Sequence, residues 1–98
     1  MQHEFEITTI YLNPSERIGY TGDTSNLLSQ EASEWLKANV GSQAKSYRDL
    51  VFGLQEGSYD WSFNGRVYIP QTNYTKIGYS FSFVDDKKAL MFKLFFSE

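Results

Sequence analysis

Apolar and polar residues along this chain recur with two periods, one of two residues and one near 3.6, and these predict strands and helices respectively. Residues 2–12 (QHEFEITTIYL) alternate Phe5, Ile7 and Tyr11 with Glu4, Glu6 and Thr8, a strand pattern that Ile10 and Leu12 interrupt near its end. Residues 13–26 are turn-forming, with Pro14, Gly19 and Gly22 as punctuation. Within them, Arg17–Thr21 reads either as a short strand closing a hairpin with the first or as part of a long loop. In residues 27–40, Leu28, Ala32, Trp35, Leu36 and Val40 line one helical face. Ser25, Asn26 or Ser29 is available as its N-cap, and Gly41 as its C-terminal stop.

The second half of the chain is richer in strand signals. Residues 43–55 read as a helix capped by Ser42 over 43–49, with 50–55 open between helix and strand. In residues 58–70, Asn64-Gly65 between two alternating runs predicts a tight two-residue hairpin turn. That turn pairs Trp61 with Tyr68 and puts Tyr59, Trp61, Phe63 and Tyr68 on one face. Residues 77–84 alternate Ile77, Tyr79, Phe81 and Phe83 with Gly78, Ser80 and Ser82, so a ring-bearing face meets a helix and a small face is exposed or closely covered. After the charged turn Asp85–Lys88, residues 89–96 (ALMFKLFF) favour a final strand over a helix capped by Asp85. Together these elements predict one α+β domain: an antiparallel sheet of four to five strands with one or two helices packed on one face.

Composition narrows the chemistry. The 98 residues include no cysteine and a single histidine, His3, which excludes thiolate nucleophiles, Cys-based zinc sites and multi-histidine metal sites. The carboxylate pairs Glu4/Glu6, Glu31/Glu34 and Asp85/Asp86 all fit solvated faces or turns better than acid–base work. Gly19-Tyr20-Thr21-Gly22-Asp23 lacks the Lys-Ser/Thr of a phosphate loop. The expectation is therefore a protein that is not an enzyme, with no catalytic residues, cofactor or metal. A net charge of −3 argues against non-specific nucleic-acid binding. No signal peptide or membrane-spanning run is read, and the missing cysteine fits a cytoplasmic setting.

The remaining feature is the aromatic content: 8 Phe, 7 Tyr and 2 Trp. Most fall at positions expected to form the core. Those at the predicted hairpin and loops, Tyr20, Trp61, Tyr68 and Tyr74, together with Arg66, are the candidate protein-binding residues, because Tyr, Trp and Arg dominate interface hot spots. The same sheet face, with Tyr59, Trp61, Phe63, Tyr68 and Arg66, would serve a single-stranded nucleic-acid binder if it were uncovered.

One further cue is a likeness. Phe81-Ser82-Phe83-Val84-Asp85-Asp86-Lys87-Lys88-Ala89-Leu90-Met91-Phe92-Lys93-Leu94 resembles an F-x-F…D-x-x-x-A-x-x-F-K-L ending of small uncharacterised proteins of tailed phages. The Glu34–Gly41 helix end (EWLKANVG) is similar to their W-[CL]-x-x-N-x-G pattern, with Leu36 where many have cysteine. The resemblance implies a phage protein that binds and inhibits or redirects a host protein, and it transfers no catalytic residues. The leading expectation is a small protein-binding module acting stoichiometrically in the host cytoplasm, of the phage-modulator or immunity type. It would be a monomer or homodimer whose aromatic patch is rimmed by carboxylates. The alternatives are the nucleic-acid binder and a self-associating virion component.

Overall fold

The computed structural model describes residues 7–15, 17–19 and 28–97. Four strands and three helices follow one another as β1 (Thr8–Leu12), α1 (Gln30–Asn39), β2 (Gln43–Ala44), α2 (Tyr47–Phe52), β3 (Trp61–Tyr68), β4 (Ile77–Phe83) and α3 (Asp86–Phe96). A 3₁₀ turn at Pro70–Thr72 lies between β3 and β4. The strands form one sheet in the order β1-β4-β3-β2. The fold is α+β, and the sheet is mixed rather than purely antiparallel, because β2 runs parallel to β3 while β4 is antiparallel to both β1 and β3.

The main core follows from the alternation. Tyr79, Phe81 and Phe83 of β4 face the same side as Ile10 and Leu12 of β1 and as Trp61 and Phe63 of β3. Ala32 and Leu36 of α1 and Ala89, Phe92 and Phe96 of α3 close over them. Phe92 is the hub, its ring 4.7 Å from Phe81, 4.8 Å from Phe96, 5.5 Å from Trp35 and 5.6 Å from Phe83. The helix predicted over 27–40 forms over 30–39, with Ser29 as its cap and Gly41 just beyond its end.

The opposite face is small and polar along β3 and β4, and its serines are buried, while Thr9 on β1 is exposed. Ser62, Ser80 and Ser82 are nearly inaccessible there. Thr9 Oγ1 lies 2.8 Å from Ser82 Oγ. Asn64 Nδ2 donates to Ser82 Oγ (2.8 Å) and Ser80 Oγ (3.2 Å), and its Oδ1 accepts from Ser62 Oγ (2.9 Å). Gly78 is required on this face by a close approach: a Cβ there would sit 2.5 Å from Ile69 Cδ1 and 2.6 Å from the Leu12 carbonyl.

Three predicted elements are corrected. Asn64-Gly65 is a bulge within β3, not a turn: the register with β4 shifts between Phe63 and Gly65. Gly65 supplies the positive φ of 89° that a turn or a bulge alike requires. The Asn64 amide is held by three serine partners on β3 and β4, and the strand continues through the bulge; the chain reverses instead at residues 69–76. Residues 86–96 are a helix, not a strand, with Lys87 N–H donating to the Asp85 carboxylate at the cap (2.9 Å). Ser46, not Ser42, caps the second helix. Its buried residue is Leu50, while Tyr47 and Val51 are exposed. Gln43-Ala44 pair with β3 instead of starting that helix. Of the two readings of Arg17–Thr21, the described residues show Gly19 bridging to Leu28 and no pairing with β1; Tyr20 and Thr21 lie outside them.

Candidate functional site at the hairpin end

Burial along the ring-bearing face falls abruptly. On β4, Phe83, Phe81 and Tyr79 are covered by α1 and α3, whereas Ile77 is exposed. On β3, Trp61 is buried and Tyr68 is 57% exposed. The helices therefore cover one end of the β3–β4 hairpin and leave the other open. The bulge at Asn64 re-phases the alternation, so that Arg66, opposite Tyr79, and Tyr68, opposite Ile77, point to the same side as the core rings. A shallow groove of about 280 Å³ is lined by Arg66, Val67, Tyr68 and Ile77.

The connecting loop presents a further ring. Tyr74 is 64% exposed. It and Asn73 both have left-handed backbones, φ 61° and 59°. Such conformations cost of order 1–3 kcal/mol for residues other than glycine. The loop enforces them through its own hydrogen bonds. Ile69 N–H donates to the Lys76 carbonyl (2.7 Å) and Tyr74 N–H to the Ile69 carbonyl (3.2 Å). Thr72 Oγ1 donates to the Ile69 carbonyl (2.7 Å) and Thr75 Oγ1 to the Thr72 carbonyl (2.6 Å).

Charge is segregated along the chain. Residues 61–84 contain no Asp or Glu, and Arg66 and Lys76 are their only charged residues. This segment thus carries two cations and two tyrosines at its exposed positions, within a net acidic protein.

Of the predicted binding residues, Arg66, Tyr68 and Tyr74 lie on this hairpin end. Trp61 does not. It is 2% exposed, and its indole Nε1 donates to the Gly41 carbonyl (3.1 Å), tying the end of α1 to β3. With the Asn64-Gly65 turn replaced by a straight strand, Trp61 and Tyr68 stand seven residues apart along β3, roughly 23 Å at strand rise, instead of opposite each other. Tyr20 lies outside the described residues, as do His3, Glu4 and Glu6. Glu31, from another predicted carboxylate pair, is engaged by Arg17 (2.9 Å). Sequence reasoning missed Ile77, whose place in a clean alternation marked it as core; only the reach of the helices leaves it open.

A second concavity of about 540 Å³ runs along β1. It is lined by Thr9–Ser15, by Ile69, Gln71 and Thr72, and by Lys93, Phe96 and Ser97 of the α3 end. Among these described residues Lys93 carries the one formal charge, so the groove brings no pair of ionisable groups together. Among the described residues, no group of three or more His, Asp or Glu is placed to hold a metal ion, and no helix is long and apolar enough to cross a membrane. No protein-family model matches the chain, and neither does any curated protein or solved structure.

Proposed function

We propose that this is a non-enzymatic protein-binding module that docks a partner protein through the open end of the β3–β4 hairpin. One observation carries the reading: Arg66, Tyr68, Tyr74 and Ile77 stand exposed beyond the helices, in a segment with two cations and no carboxylate. Tyr and Arg are the residue types that anchor interfaces, and a loop held by its own hydrogen bonds loses little entropy on docking. The positive local charge favours a partner with an acidic surface. The likeness to tailed-phage proteins supports a stoichiometric inhibitor or modulator of a host protein, acting in the bacterial cytoplasm. The base-stacking alternative has less support, because of its platform residues Trp61 is buried in the core and Phe63 is packed against it.

The test is affinity capture from bacterial lysate with wild type and with a Tyr68→Ser/Tyr74→Gly variant. A stoichiometric partner retained by wild type, released by moderate salt and lost with the variant supports the proposal. Equal capture by both chains overturns the assignment to this surface, and no stoichiometric partner for wild type removes the function itself.

A further inference from the structure

Helix α3 is apolar on two sides. Ala89, Phe92 and Phe96 enter the core, while Leu90, Met91, Leu94 and Phe95 are 57%, 46%, 68% and 49% exposed on the other side. A second apolar stripe on a helix whose first stripe already faces the core marks a surface that can pack against a partner. We infer that this outer face pairs with the same helix of a second copy, antiparallel and across a two-fold axis. The inference is independent of the hairpin surface, which lies on different elements.

Three observations select a second copy as the occupant. The first is symmetry. Leu90 and Phe95 lie equally far from the midpoint between Phe92 and Lys93, and so do Met91 and Leu94. An antiparallel two-fold therefore sets Leu90 against Phe95 of the partner subunit and Met91 against Leu94 of the partner subunit, as a self-complementary interface requires.

The second is charge. Lys87 and Lys88 occupy the first turn of α3, the end at which the helix's own dipole disfavours cations; Asp86 beside them answers that dipole, and Asp85 is engaged as the N-cap. In an antiparallel pair they approach the C-terminal end of the partner helix, where carbonyls lack intrahelical partners and cations are favoured.

The third is area. At roughly 200 Å² for a fully exposed large side chain, the four residues present about 440 Å² of apolar surface per copy. A standard interface buries about 800 Å² per partner, a little over half of it apolar. The stripe thus approaches the apolar share a specific dimer needs. Trp35, stacked on Phe95 at 5.6 Å and only partly covered, extends its margin.

The experiment is sedimentation equilibrium of the full chain from micromolar to millimolar concentration, alongside a Leu90→Ser/Leu94→Ser variant. Both substitutions are at exposed positions, and circular dichroism checks that the variant remains folded. Wild type is expected to double in mass with rising concentration, with at least a tenfold loss of association in the variant. A wild type that stays monomeric throughout overturns the inference, as does a variant that dimerises equally well. Because the chain has no cysteine, a Lys87→Cys variant reads orientation cleanly. Antiparallel pairing separates the two thiols and disulfide cross-linking is poor, whereas efficient cross-linking overturns the antiparallel geometry.

Discussion

The two faces of the sheet are held by different physics. On one, Trp61, Tyr79, Phe81 and Phe83 meet the rings and methyl groups of α1 and α3. This contact is large and non-directional, and it would tolerate several registers. On the other, Ser62, Ser80, Ser82, Thr9 and Asn64 satisfy one another in a narrow hydroxyl and amide network. Hydrogen bonds of this kind contribute little net energy each, but a mispaired one leaves a buried polar atom unsatisfied. The comparison teaches that the aromatic face supplies cohesion and the serine face selects the register of β1, β4 and β3. At the far end of the hairpin the helical cover ends, and Tyr68 and Ile77 are exposed there.

The contrast is broken most strongly at its aromatic side. Phe92→Ala removes the ring that touches Trp35, Phe81, Phe83 and Phe96. It is expected to cost about 3–5 kcal/mol, read from the midpoint of a urea unfolding curve. On the serine side, Asn64→Ala removes three hydrogen bonds and strands buried hydroxyls, with an expected cost of about 1–3 kcal/mol. A fall in stability with unchanged amide protection across β3–β4 would show that the network does not select the register.

Smaller effects sharpen the picture. Arg17 donates to Glu31 (2.9 Å) and to the Phe95 carbonyl (3.1 Å), and its guanidinium lies 5.1 Å and 4.9 Å from the Phe95 and Phe96 rings. This clamp closes the end of α3 onto α1. It is partly exposed, so Arg17→Ala is expected to cost only about 1–2 kcal/mol in thermal unfolding. A loss as large as that of Phe92→Ala would mean that the clamp, not the ring cluster, organises this face. Smallest is Tyr68→Ser/Tyr74→Gly at the open end, expected to stay within about 1 kcal/mol of wild type while abolishing partner capture. A large destabilisation would make these tyrosines structural and remove them from the interface.

Legibility in the sequence follows the range of the forces involved. The α1 stripe from Leu28 to Val40 and the alternation of Ile77–Phe83 are local amphipathic patterns, and each forms the element they predict. Residues 89–96 are apolar at nearly every position, so their pattern fits strand and helix alike. The cap at Asp85 and the fit of Ala89, Phe92 and Phe96 onto the sheet decide for the helix. Asn64-Gly65 misled for a similar reason. The pair supplies positive φ to a turn or to a bulge, and the choice rests on Ser80 and Ser82, far away along the chain. Among the candidate binding residues, Arg66, Tyr68 and Tyr74 are exposed because the helices end short of them, while Trp61 is drawn under cover by its bond to Gly41.

By itself, then, the sequence determined the α+β class, the principal helix, the ring-bearing strand and the lack of thiol chemistry, since these depend on residue type and on periods of a few residues. Tertiary structure alone decided the parallel β2–β3 pair, the straight path of β3 through its bulge, the helical state of α3 and which aromatic residues face solvent. Each of these rests on contacts between residues distant in sequence, where one local pattern is compatible with two conformations and packing selects between them.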